Sequence, residues 1–342
     1  MWRLPVLLIE CEEVALMLDR GEIDPELRNA ARFFRLFTIS PKWFFRLSRW
    51  IGRTIEGKAP EDTSIEQVWI DRPTGNGQIR ICLFRPKDVA RSTTLAPVIY
   101  LHGGGYAMGN PESAGEIIAR MIKERPCVVI VPDYRKSLDE PYPAAIDDCY
   151  TTLVWAERSR RLINANDEAF AVVGHSAGGG LTAALSLRAR ERKGPPIAFQ
   201  MPIYPMIDDR LGEPSPASQR APVWSWKSNA LGWSLYLGEI KPGSANVPYD
   251  AAPARADNLA KLPPTATMVG SIDLFAGETT RFAKTLSKAG VACKFALFPG
   301  AFHGSEFLAP KAQVSRRAND YFYSTFAQGM DRDFSSWTTF EP

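Results

Sequence analysis

Ser176 is flanked at two residues on either side by Gly174 and Gly178. A short apolar run, Phe170-Ala171-Val172-Val173, precedes it, and an alanine- and leucine-rich segment, residues 181–189, follows the glycines. That order reads strand, tight turn, helix. A serine at such a corner is forced into a strained backbone with its Oγ exposed, the arrangement of a nucleophile elbow. Glycine is needed on both sides because a Cβ there would meet the neighbouring strand or helix. A glycine-rich turn with an incidental serine gives the same letters, so Ser176 needs partners before it implies chemistry.

Serine is a poor nucleophile without a base in hydrogen-bond reach. The chain has three histidines. His102 opens a glycine-rich loop, and His175 adjoins Ser176 on the turn, where neighbouring side chains diverge. His303 lies in a loop between the last strand and the last helix, where loops at the carboxyl ends of strands line a crevice. It is the candidate base. The acid that orients it should lie between serine and histidine in the chain. Asp273, ending the strand after a long insertion, is the first choice. Asp208 and Asp209 end an earlier strand and are the weaker alternative, and Glu278 falls within the following helix. The tetrahedral intermediate needs backbone N–H donors, which Gly103, Gly104 and Gly105 would supply together with Ala177. A phosphate-cradling role for that loop does not fit, because no P-loop lysine follows and the third position of a dinucleotide fingerprint is Met108.

These groups must be held by a regular frame. Apolar runs at residues 65–71, 79–85, 97–101, 127–131, 170–173, 197–203, 264–270 and 293–298 read as strands. Segments 112–124, 142–158, 278–289 and 308–326 read as helices. Alternating strands and helices imply a mostly parallel sheet with helices on both faces, and the opening hairpin around Pro73 to Gly77 adds an antiparallel edge. The expected fold class is α/β, an eight-stranded mostly parallel sheet with a helical cap. Residues 1–60 are read as an N-terminal helical cap segment, 61–209 as the first part of the core, 210–260 as a cap insertion and 261–342 as the second part of the core.

Within the first segment Arg28, Arg32, Arg35, Arg46, Arg49 and Arg53 recur at helical spacing among Phe33, Phe34, Phe37, Trp43, Phe44, Phe45 and Trp50. Ser40-Pro41 reads as the N-cap and first residue of a new helix. A lid packing its aromatic face on the core is the favoured reading, and a helix lying on a membrane surface is the weaker one. Tyr106, His175, Phe37 and Trp224 are the expected lining of an apolar substrate pocket.

The chain has 342 residues, 45% of them hydrophobic, and a net charge of +3. That bias is too weak to imply nucleic-acid binding. Cys11, Cys82, Cys127, Cys149 and Cys293 are scattered with no CxxC pair, which suits reduced thiols in the cytoplasm. No metal site and no cofactor are expected. The N-terminal apolar run is interrupted by Glu10, Glu12 and Glu13, so no signal peptide is read, and no run is long enough to span a bilayer.

Four motifs together carry a resemblance: His102-Gly103-Gly104-Gly105-Tyr106, Gly174 to Gly179 with Ser176, Asp273-Leu274-Phe275, and Pro299 to Gly304 with His303. They resemble the hormone-sensitive-lipase-like esterases of the α/β-hydrolase superfamily, from about Val68 to Phe326. The resemblance implies an α/β-hydrolase fold and a serine esterase for short- to medium-chain acyl esters, with His102 supporting the oxyanion loop. It also implies a small-molecule ester as partner and leaves a homodimer open. Residues 136–140 depart from the family's usual Leu-Ala-Pro-Glu-His. His175 stands where the family most often has an acid, and that makes the elbow also resemble arylformamidases. The alternatives are therefore a C–N hydrolase or a lactonase with the same triad. An interfacial lipase and a non-enzymatic receptor are weaker readings. Activity is expected to rise through about pH 6 to 7 as His303 loses its proton.

Overall fold

A computed structural model of the chain describes residues 22–35, 42–213 and 221–337. Eight strands form one sheet: β1 (Thr63–Asp71), β2 (Gln78–Pro86), β3 (Ala96–Leu101), β4 (Cys127–Pro132), β5 (Phe170–His175), β6 (Ile197–Ile203), β7 (Thr265–Gly270) and β8 (Cys293–Phe298). Their spatial order is β1-β2-β4-β3-β5-β6-β7-β8. β2 pairs antiparallel with both β1 and β4, and all other pairings are parallel. Every residue of β4 and β5 is buried, as central parallel strands covered on both faces require. This is the α/β-hydrolase fold expected from the sequence.

Helices cover both faces. On one lie α3 (Gly115–Glu124) and α9 (Gln313–Met330), whose Ile118, Met121, Phe322 and Phe326 pack with Val98, Val129 and Val173 of the strands. On the other lie α4 (Ala144–Arg158) and α5 (Ala177–Glu191), whose Ile146, Leu153, Leu181 and Leu185 pack with Ile99, Ile130 and Val172. α5 is buried continuously from Ala177 to Ala189, which its alanine, leucine and glycine content permits. α7 (Ala276–Lys288) closes a third cluster through Phe282 and Leu286 against Leu187.

Two expected helices differ in detail. The segment expected from 112 begins as a 3₁₀ turn, Pro111–Ala114, capped reciprocally by Asn110 and Ser113. The last expected helix is two, a short α8 (Ser305–Leu308) and α9. Pro310 lies between them and cannot continue the hydrogen-bond ladder of the first.

Three helices lie over the carboxyl ends of the strands: α1 (Arg28–Arg35), α2 (Lys42–Gly52) and, in the insertion, α6 (Trp226–Leu237), capped by the Ser225 hydroxyl. Phe45 of α2 stacks on Trp224, with ring centroids 6.0 Å apart. Arg49 of α2 pairs with Asp139 at 2.7 Å, so the loop that departs from the family pattern anchors this helix. One face of α2 is closed and the other open: Phe45 is buried, but Trp43, Leu47, Trp50 and Ile51 are exposed. Phe37 and the Ser40-Pro41 cap lie outside the described residues, as does Cys11. The other four cysteines are buried and free.

Candidate active site

The elbow forms because β5 runs directly into α5 through one residue. Ser176 adopts φ 58° and ψ −122°, in the region that side chains disfavour. A Cβ on Gly178 would strike the carbonyl oxygen of Leu101, so the neighbouring strand leaves room for glycine alone. Since β3 and β5 are adjacent, the loops that follow them meet. A Cβ on Gly103 would lie 3.4 Å from the Cβ of Ser176, which measures how near the glycine loop comes to the serine.

His303, from the loop after β8, reaches back across the sheet edge. Its Nε2 is 3.0 Å from Ser176 Oγ, and its Nδ1 is 2.8 Å from Asp273 Oδ2. The other carboxylate oxygen of Asp273 accepts the N–H of Phe275 at 2.9 Å, fixing the acid's orientation. The alternative acids are engaged elsewhere. Asp208 pairs with Arg210, Asp209 with Arg255, and Glu278 accepts the N–H of Ile207. The His303 loop is itself pinned: Gly300 O accepts the N–H of Asp24 at 3.1 Å, and Gly300 N–H donates to Ser271 Oγ at 2.8 Å.

Burial works to lower the pKa of His303, but the charge and hydrogen bond of Asp273, followed by the charge of Glu306, hold it above its ordinary value. The expected rise of activity through about pH 6 to 7 is therefore displaced upward. Glu306 lies behind His303 and accepts the Tyr204 hydroxyl at 2.6 Å. Burial pushes its carboxyl up to about 7. The Tyr204 ring stands edge-on to His303 at 4.7 Å between centroids. Neither Tyr204 nor Glu306 was apparent from the sequence. The one available signal was position, since Tyr204 directly follows β6 at the carboxyl edge and Glu306 lies three residues beyond His303.

His102 is held behind the glycine loop. Its Nδ1 is 2.8 Å from the carbonyl oxygen of Gly103, its own carbonyl accepts the Tyr134 hydroxyl at 2.8 Å, and its ring stacks on Tyr134 at 4.3 Å. Burial, and then the charge of Lys136, lower its pKa to about 3, so the ring is neutral. Lys136 is buried over the Tyr134 ring and pairs with Asp133 at 2.9 Å. Asp133 in turn meets Arg80, which is bidentate to Glu112 at 2.6 and 3.1 Å. A buried, largely paired charge network therefore backs the loop.

Gly103, Gly104, Gly105 and Ser176 line one cavity of about 620 Å³, with Phe33, Phe34, Phe44 and Phe45 from α1 and α2, and Trp224 from the insertion. His175 also lines it. Its ring turns away from the serine, with Nδ1 2.9 Å from Tyr100 Oη and Phe322 and Phe307 at its edges. Burial, and then the charge of His303, lower its pKa to about 3. Tyr106 does not line the cavity, contrary to expectation. Its φ of 62° turns the ring back into the core, where it stacks on Tyr236 at 3.8 Å and donates to Met206 O at 2.7 Å. No cluster of potential metal ligands occurs among the described residues.

A mostly parallel sheet with a buried serine on a strained elbow at the wall of a cavity, a histidine on it and an acid behind that histidine defines a serine hydrolase of the α/β-hydrolase class. The chain belongs to the alpha/beta hydrolase fold family, whose match spans residues 98–307, and within it to the hormone-sensitive-lipase-like group. Esterase LipI of Mycobacterium tuberculosis (strain ATCC 25618 / H37Rv) is 35% identical over 223 residues, covering 65% of this chain and 68% of that protein. Ethyl acetate hydrolase of Pseudomonas putida is 27% identical over 255 residues, 73% of this chain and 78% of that one. Among solved structures, a bacterial heroin esterase superposes with a TM-score of 0.79 and 30% identity, over 90% of this chain and 98% of that chain.

Proposed function

We propose that Ser176 is the nucleophile, His303 its general base and Asp273 the group that orients His303, in an enzyme for short- to medium-chain acyl esters of small alcohols. The family and its esterase members make the chain a carboxylic ester hydrolase. The single observation that carries the assignment of roles is the unbroken hydrogen-bond path from Asp273 through His303 to Ser176, at 2.8 and 3.0 Å.

Ser176 Oγ attacks the ester carbonyl carbon as its proton passes to His303 Nε2. The carbonyl oxygen becomes an oxyanion, for which the N–H groups of Gly103, Gly104, Gly105 and Ala177 are the proposed donors; the three glycines line the same cavity as Ser176. Asp273 stabilises the imidazolium and keeps Nδ1 protonated. The C–O bond to the alcohol breaks, and His303 returns its proton to the leaving oxygen. Water, giving a proton to His303, then attacks the acyl-enzyme; the acyl C–Oγ bond breaks, His303 returns that proton to Ser176 Oγ, and the acid is released. No cofactor enters these steps.

The apolar cavity walls from Phe34, Phe44 and Trp224 suit an acyl chain of a few carbons. We take residues 1–60 and 210–260 as the two parts of a cap over a core of 61–209 and 261–342. The free buried cysteines suit a cytoplasmic setting. Among the described residues no helix is long and apolar enough to cross a membrane.

The test is a nitrophenyl ester series from acetate to decanoate, with formanilide and a lactone as comparison substrates. Turnover is expected to peak at short to medium esters and to vanish in Ser176→Ala and His303→Ala. Tight binding of small apolar ligands without turnover would contradict the proposal.

A further inference from the structure

The outward face of α2 has no role in the chemistry above. Trp43, Leu47, Trp50 and Ile51 fall at i, i+4, i+7 and i+8, which places them on one side of the helix. They are 63%, 41%, 63% and 54% exposed. The opposite side is the lid, with Phe45 buried on Trp224. α2 is therefore apolar on two faces, one closed and one open. The open face adjoins the cavity mouth, because Phe44, Phe45 and Ser48 of the same helix line the cavity. Phe33 and Leu308, 55% and 38% exposed, line it too.

The charge around this face is one-sided. Residues 28–55 hold seven cations, Arg28, Arg32, Arg35, Lys42, Arg46, Arg49 and Arg53, and no acid. The whole chain carries only +3, so the rest of it is net negative. Arg49 is bound to Asp139 and Arg28 to Glu22, whereas Lys42, Arg46 and Arg53 flank the exposed tryptophans and are themselves exposed. Tryptophan side chains favour the headgroup level of a bilayer, and arginine stems lie along apolar surface with the guanidinium in the polar layer.

We propose that α2 is the docking face for an anionic lipid surface, with Trp43, Leu47, Trp50 and Ile51 entering the headgroup boundary and Lys42, Arg46 and Arg53 meeting lipid phosphates. This rests on the esterase reading and adds to it the place where substrate is met: the cavity mouth is held beside the lipid, so esters partitioned there enter without crossing water. A second copy of the chain is the competing occupant. A twofold pairing would set this patch against itself and oppose cation to cation, whereas a phosphate-bearing surface is complementary in both charge and apolarity.

The test is flotation of the full chain, as Ser176→Ala so that no lipid is hydrolysed, with vesicles of phosphatidylcholine alone or mixed with phosphatidylglycerol, at low and high salt. Tryptophan emission is recorded alongside. Partition onto the anionic vesicles is expected to exceed that onto the neutral ones by tenfold or more, to fall with salt, and to shift emission to the blue. The double variant Trp43→Ala/Trp50→Ala should lose partition by about the same factor, while its wild-type-background counterpart hydrolyses soluble nitrophenyl acetate unchanged. No partition onto anionic vesicles, equal partition onto both kinds, partition unaltered in the double variant, or tryptophan-dependent dimerisation in its place would overturn the proposal. Absence of soluble nitrophenyl acetate hydrolysis in the wild-type protein without vesicles would instead count against the catalytic reading, so the two are separable.

Discussion

Phe45 of α2 and Trp224 of the insertion stack with planes 12° from parallel and centroids 6.0 Å apart. Two segments distant in sequence thus close one roof over Ser176. Trp224 also presses on the oxyanion loop, since any Cβ on Gly105 would collide with its indole. Roof and loop are in contact through this ring and through Tyr106, which stacks on Tyr236 of α6.

Removing that ring should affect large substrates first. In Trp224→Ala, kcat/KM for nitrophenyl hexanoate is expected to fall more than for the acetate. Stability should drop by about 3–5 kcal/mol, the usual range for a buried tryptophan truncated to alanine. A chain-length series and urea unfolding measure the two effects.

Gly104 has φ 125°, and a Cβ there would meet the carbonyl oxygen of Met108. Gly104→Ala should therefore turn the loop's N–H groups off the oxyanion. Loss of one such donor lowers kcat by about 10²- to 10³-fold. Steady-state kinetics should show the loss in kcat, with KM changed far less.

Glu306 supplies a test of sign. A carboxylate beside His303 favours the charged imidazolium and so raises its pKa. Only neutral His303 can take the proton of Ser176. Glu306→Gln removes the charge, the pKa of His303 falls, and the rising limb of kcat/KM should move to lower pH. Because burial pushes the Glu306 carboxyl up to about 7, it carries the charge that acts on His303 only from about that pH upward, so the difference from wild type should appear there on the rising limb and vanish on the plateau. A limb that stays in place, or moves up, would show that Glu306 does not act on His303.

Much of this arrangement was legible in the sequence. Strands 197–203 and 293–298 coincide with the structure because both are largely apolar runs, interrupted only by Gln200 and Pro202 and by Lys294, and both lead into a proline. Ser176, His303 and Asp273 could be singled out because each ends or follows a strand, and their chain order suggested the roles proposed above; the structure brings the three within hydrogen-bond distance. Long-range packing was not legible. Tyr106 was placed in the pocket because it follows three glycines, but a left-handed φ turns it into the core. Glu306 and Tyr204 form a pair across separate loops that no local pattern announces. The aromatics of α2 were read as a lid on the ground that such side chains must be buried somewhere, yet Trp43 and Trp50 are exposed, and composition alone does not say how many faces a helix buries.

The buried network behind the loop has its own expected outcome. Glu112 holds Arg80 and also accepts the N–H of Gly57 at 2.8 Å, tying the residues before β1 to the core. Glu112→Ala leaves Arg80 buried with Asp133 as its remaining ion partner. Breaking a buried pair in this way costs about 3–5 kcal/mol. Denaturant unfolding of the variant should show it.

The central claim is that Ser176 carries the acyl group. Rapid mixing of enzyme with excess nitrophenyl acetate, acid quench and peptide mass spectrometry would read it directly. The expected result is an acetyl group on the peptide containing Ser176, absent in Ser176→Ala. The same peptide in Asp273→Asn should acylate about 10⁴-fold more slowly. Acetylation of another residue, or full turnover in Ser176→Ala, would contradict the account.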